Sequence, residues 1–257
     1  MSGPGVYGKL PAHGDFIQRN LPANFVKPWD AWLQHFVADA KGQIGEDWLD
    51  IYLTSPIWRF VLSHGVLNEG RWAGILMPSV DQVGRYFPFT IAVRLPDNKN
   101  PLEFISQQTS WYVAIEELGL LALNGEIALD DLVQELEGVK LGMDSAYAAA
   151  DTLTESCSMQ IDMEFEEQSA ASVYPFMLDA LLSKQMSSYS IWSTTGSERV
   201  APCVFDAQGL PAVGKLPAML DGQWRQWGWT QPYTLQPEPS EPILQHPRQD
   251  RLMSDEP

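Results

Sequence analysis

The chain of 257 residues is long enough for one domain with a sizeable core, and 45% of its residues are hydrophobic, including 10 Trp, 8 Tyr and 10 Phe. That composition excludes a disordered chain, and a formal net charge of −17 speaks against gripping a phosphate backbone, so no nucleic-acid partner is expected. Only two cysteines, Cys157 and Cys203, are present, too few for a disulfide framework or a four-thiolate metal site. No apolar run reaches the roughly 20 residues of a membrane span. Residues 1–30 lack a charged start followed by an apolar stretch, so the expectation is a cytoplasmic protein with reduced thiols.

The first third is electrically balanced and mixes one long helix with strands. From Asn24, the apolar residues Phe25, Trp29, Trp32, Leu33, Phe36, Val37 and Ala40 fall on one helical face. Asn24 is a suitable N-cap, Pro28 is placed in the first turn, and Gly42 is expected to end the helix. Three runs then carry strand character: 57–63, 72–77 and 89–95.

The middle of the chain is acidic, with only Lys99 and Lys140 as basic residues across 97–170. Such a segment reads either as solvated helix faces or as a negative surface that steers a basic partner. Trp111, Ile115, Leu118, Leu121 and Ala122 repeat at helical spacing up to Asn124-Gly125. Leu129, Leu132, Val133 and Leu136 make a second amphipathic helix before Gly138. Residues 141–170, low in large apolar groups, are expected to be a mobile connection. Val173, Phe176, Met177, Ala180 and Leu181 mark a further helix, and 189–194 a returning strand. The expected organisation is one α/β domain over 1–230, with helices covering a sheet. The Pro-rich, polar tail 231–257 is expected to be disordered.

The chemical motifs are weak. Gly3 to Lys9 fits the first seven positions of a P-loop, but Leu10 stands where a Ser or Thr should hold magnesium, and no strand precedes it. Gly8-Lys9-Leu10-Pro11 recurs as Gly214-Lys215-Leu216-Pro217, with flanks that do not match. His13, His35, His64 and His246 are scattered, and no metal-ligand spacing exists, so neither metal nor cofactor is expected. A hydrolase built on Ser79, with His64 and Asp81 or with Asp15, lacks a nucleophile elbow.

Two polar constellations remain: His13-Gly14-Asp15 with Arg19, and Ser79-Val80-Asp81 followed by Gly84-Arg85-Tyr86-Phe87-Pro88. Both read as tight turns in which carboxylates accept backbone N–H bonds and an arginine braces the fold. The alternative is an exposed recognition site of Asp15, Asp81 and Arg85. Trp224, Trp227 and Trp229 crowd together too tightly for one helical or strand face, and either pack on a sheet edge or anchor a protein partner.

These residues carry a family resemblance. Gly8-Lys9-Leu10-Pro11-Ala12-His13-Gly14-Asp15-Phe16, Arg19, Leu21-Pro22 and Trp29-Asp30-Ala31-Trp32-Leu33 look like the opening of the TagF (ImpM) proteins. So do Ser55-Pro56-Ile57-Trp58-Arg59-Phe60 and the block running from Met77 to Pro88. Ile191-Trp192-Ser193-Thr194, Gly209-Leu210-Pro211 and Met219-Leu220-Asp221-Gly222 fit the later pattern, so the resemblance spans about Gly5 to Trp229. Ser193 departs from it, since a second Trp is common there, and the acidic segment is poorly matched.

The resemblance implies a three-layer α/β/α sandwich, expected here with a mixed sheet. It implies a cytoplasmic accessory protein of the bacterial type VI secretion system, a post-translational repressor of assembly or firing. The implied contact is the forkhead-associated scaffold protein of that system, beside a Ser/Thr kinase and phosphatase pathway. No enzymatic activity and no catalytic residues come with it. Some relatives are fused to a metal-dependent protein phosphatase; with a Pro-rich tail in that place, this chain is expected to rely on a separate polypeptide for any phosphatase. The rival readings are a structural subunit of the apparatus or the Ser79/Asp15 hydrolase. The candidate partner-binding residues are Asp15, Arg19, Asp81, Arg85, Trp224 and Trp227.

Overall fold

Alternating side chains in three consecutive apolar strands build both cores of the molecule. In β3 (Trp58–Leu62), Trp58, Phe60 and Leu62 face one side and Val61 the other. In β4 (Arg71–Met77), Trp72 and Leu76 join the first side, while Ala73, Ile75 and Met77 join the second. In β5 (Phe89–Leu95), Ala92 faces the first side, and Phe89, Ile91, Val93 and Leu95 the second. Phe60, Gly74 and Ala92 lie in one row across these strands. The two small residues make room for the aromatics: a Cβ on Gly74 would sit 2.2 Å from the Ile91 carbonyl oxygen and 2.7 Å from the Phe60 ring.

The computed structural model describes residues 3–142, 158–163 and 170–235. With β1 (Gly5–Gly8), β2 (Ile17–Arg19), β6 (Tyr189–Thr194) and β7 (Cys203–Gln208), the sheet has seven strands in the order β2-β1-β5-β4-β3-β6-β7. Every neighbouring pair is antiparallel, so the sheet is not mixed as expected. The reason lies in the connections: β3, β4 and β5 follow one another without a crossover helix, which parallel pairing would require.

Helices cover both faces, giving the three-layer α/β/α arrangement. On the first face, α1 (Ala23–Ile44), α2 (Trp48–Leu53) and α7 (Ala218–Asp221) bury Phe25, Trp29, Leu33, Tyr52 and Met219. The Trp29 and Trp192 rings stack at 6.2 Å, and Trp29 Nε1 donates to Thr90 Oγ1 at 2.9 Å. Trp32 and Trp58 donate to the Pro211 and Met219 carbonyls, so these buried indoles keep their hydrogen bonds. On the second face, α3 (Pro101–Gln107), α4 (Thr109–Leu123), α5 (Leu129–Gly138) and α6 (Ala170–Gln185) bury Phe104, Trp111, Tyr112, Ile115, Leu132, Leu136 and Leu182. Arg59 of β3 ties this layer down through Glu116 of α4, with bonds of 2.6 and 2.7 Å.

Several boundaries differ from expectation. Helix α1 begins at Ala23 behind Pro22, not at an Asn24 cap, and runs through Gly42 to Gly45, whose φ of 82° stops it. Pro28 is therefore inside α1 rather than in its first turn. Helix α3 was not foreseen; the Asn100 side chain caps it by accepting from the Leu102 and Glu103 N–H groups. Of the expected connection 141–170 and tail 231–257, all but 141–142, 158–163, 170 and 231–235 lie outside the described residues. Residue 170 opens α6, and the other described positions carry no regular secondary structure.

Candidate functional site

The end of β1 and the β4–β5 loop form one corner. Gly8 has φ 129°, and a Cβ there would lie 2.1 Å from the Pro88 carbonyl oxygen, so only glycine lets these two segments meet. Directly after it, Lys9 turns inward and its Nζ reaches Asp81 Oδ2 at 2.6 Å, with both side chains almost wholly buried. Arg85 Nε donates to the same oxygen at 2.6 Å. Asp81 Oδ1 accepts the backbone N–H groups of Val83 at 3.0 Å and Arg85 at 2.8 Å. Burial of Asp81 opposes its charged form. The hydrogen bonds from Lys9, Arg85 and Val83 outweigh that and hold its carboxyl well below the usual carboxylate range.

The rest of the corner is equally committed. The Ser79 hydroxyl donates to the Lys9 carbonyl at 2.7 Å, and the Ser79 N–H donates to the Tyr52 hydroxyl at 3.0 Å. Gln82 N–H donates to the His13 carbonyl, and the Arg85 guanidinium to the Gly14 carbonyl. Phe16 closes the outside: it stacks on Tyr7, meets Phe87 edge to face at 4.7 Å, and lies 4.9 Å from the Lys9 ammonium.

This arrangement braces the corner. The imagined triad is not assembled: Asp81 is bound by Lys9 and Arg85, and His64 pairs with Glu69 at 2.6 Å. The P-loop-like stretch lies largely in strand β1. Among the described residues, no group of three or more His, Cys, Asp or Glu side chains could hold a metal ion. The turn reading of Asp81 and Arg85 therefore describes their geometry. As a contact for a partner, however, Asp81 is corrected: at 3% exposure it shapes the corner from within.

Besides Ala12, Gln82 and Gly84, the corner shows to solvent Asp15, Phe16 at 50% exposure, Val83 at 70% and the outward part of Arg85. Phe16, Val83 and the buried Lys9 were not among the expected site residues. Arg19 lies on the edge strand β2 and donates to its neighbour's carbonyl, Gln18 O, at 2.9 Å. Trp224 and Trp227 are at the opposite edge of the sheet, so the six candidates do not form one site. Trp224 packs on Phe205 of β7 at 5.3 Å, and Trp227 Nε1 donates to Asp221 Oδ2 at 2.7 Å. Both indoles stay partly exposed. A cavity of about 440 Å³ beside the start of α1, lined by Asn20, Leu21, Pro22, Trp72 and Arg94, includes none of the candidates.

Comparison with known proteins places this geometry in a family. Residues 5–139 match the TagF N-terminal domain, type VI secretion system-associated. The corner, with Lys9, Phe16, Asp81 and Arg85, falls within that span. No curated protein matches the chain. The crystal structure of PA0076 from Pseudomonas aeruginosa PAO1 is similar, with a TM-score of 0.71 and 32% identity, over 93% of this chain and 100% of that one. The chain belongs to the TagF family of type VI secretion system-associated proteins.

Proposed function

We propose that this protein is a non-catalytic accessory component of the type VI secretion system. It restrains assembly or firing after translation by docking on the forkhead-associated scaffold protein in the cytoplasm. A Ser/Thr kinase and phosphatase pathway works alongside it. The observation that carries the reading is the contrast within the corner. Its buried polar groups are spent on one another, while Phe16, Val83 and the outward part of Arg85 face solvent on a backbone tied by those bonds. A half-exposed aromatic beside an arginine, held rigid, is the form a protein-binding anchor takes.

The test is affinity capture from cells with active secretion, using the full chain and its Phe16→Ala and Arg85→Ala variants. The scaffold protein co-purifies with the wild type and is lost from both folded variants. Recovery of the scaffold undiminished by either change would remove the corner as the docking face. Stable recovery with assembled sheath or baseplate instead would make the chain a structural subunit.

A further inference from the structure

We propose that the outer face of the α4–α5 hairpin is a second docking surface, and that its occupant is a cationic amphipathic helix of a partner protein. It lies on the sheet face opposite to α1 and α2, so it stands apart from the corner assigned above.

The hairpin, residues 109–138, contains seven acidic residues and no basic one. Three of these carboxylates have structural partners: Glu116 pairs with Arg59, Glu126 accepts from Asn124, and Glu137 accepts from Asn20. Glu117, Asp130 and Asp131 are exposed and make no ion pair among the described residues. Asp130 and Asp131 occupy the first turn of α5, where they favour the helix, yet their charge still faces solvent.

Charge alone would describe a solvated surface. The outward row of α4 is not one, because it is apolar where a surface helix is ordinarily polar. Val113, Glu117 and Leu120 follow one another at i, i+4 and i+7, and Leu121 lies beside Glu117. Val113 is 39%, Leu120 45% and Leu121 36% exposed, while Trp111, Tyr112, Ile115 and Ala122 take up the buried side. The surface is therefore a short aliphatic ridge with a carboxylate at its middle, on a hairpin whose only charged side chains are acidic.

The complementary object must bring aliphatic side chains at helical spacing and positive charge around them. A basic amphipathic helix supplies both: its apolar stripe packs along the ridge, and a Lys or Arg meets Glu117, fixing register. A nucleic acid or an anionic bilayer carries the wrong charge.

The probe is a fluorescently labelled Leu/Lys amphipathic helical peptide, titrated by anisotropy with the full chain, with a Leu/Glu peptide as the control. The wild type binds the Leu/Lys peptide and not the Leu/Glu peptide. Leu120→Asp and Glu117→Lys, both at exposed positions and each checked for folding by circular dichroism, weaken it by about tenfold or more. Phe16→Ala leaves it unchanged. Three results overturn the proposal: no binding by the wild type, binding that survives Leu120→Asp, or an equal loss on Phe16→Ala. None of these bears on scaffold binding at the corner.

Discussion

Replacing Tyr52 by Phe tests whether the corner is braced as described. The Tyr52 hydroxyl accepts from the Ser79 N–H and donates to the Ser79 carbonyl, each at 3.0 Å. Tyr52 and Ser79 are only 1% and 4% exposed, so water does not readily replace the lost partner. In Tyr52→Phe the ring still stacks on Trp48, and the Ser79 carbonyl keeps the Phe87 N–H at 3.1 Å. The Ser79 N–H, by contrast, loses its acceptor. An orphaned buried donor costs about 1–3 kcal/mol, so we expect a loss of about 2 kcal/mol. For a chain of this size that corresponds to roughly 4–8 °C in Tm. Urea denaturation should show a lower midpoint at unchanged slope. A loss below about 0.5 kcal/mol, well under that penalty, would refute the claim that Tyr52 holds the loop.

Three further outcomes follow from the same geometry. Because the folded Asp81 carboxyl lies below its ordinary range, its stabilising effect is complete above about pH 4 and is lost as pH falls further. Asp81→Asn should lower stability at neutral pH and flatten the acid limb of the stability–pH curve by up to one proton, measured by urea titration at stepped pH. Gly8→Ala places a Cβ against the Pro88 carbonyl at a φ that side chains avoid, and should cost about 3 kcal/mol or more, read as a lower thermal midpoint. Burial pushes the Cys203 thiol up to about 11, so in a Cys157→Ser background it should react with a thiol reagent at pH 8 far more slowly than in the denatured chain.

What could be read from sequence was whatever has a local pattern. The runs at 57–63, 72–77, 89–95 and 189–194 became β3, β4, β5 and β6, because fully buried strands are dense in aromatic and branched side chains. Strands β1 and β2 escaped because they are short and β1 carries two glycines, and β7 because Val204 shares its exposed side with Asp206 and Gln208, so no clean alternation marks this edge strand. Nothing local distinguishes Gly42 from Gly45 as the helix stop, since the decision rests on which residue takes a positive φ. Asn100-Pro101 did carry a cap and first-turn pattern for α3, obscured by a helix only seven residues long.

The site was legible only in half. The turn chemistry around Asp81 and Arg85 is local, four residues apart, and is where it was expected. Its essential partner Lys9 lies 72 residues away in sequence, a pairing no spacing rule reveals. Phe16 and Val83 were overlooked for a related reason. In turns there is no periodicity to separate buried from exposed, so an outward Phe reads as one more core residue.

The claim beneath all of this is that a braced corner presents Phe16 and Arg85 to the scaffold protein and performs no chemistry. Its most direct test is the Kd of the purified chain for that scaffold, measured by calorimetry for wild type, Phe16→Ala and Arg85→Ala. The account predicts saturable binding that weakens by about tenfold or more in each variant with folding intact. Equal affinity in all three, or no binding by the wild type, would contradict it.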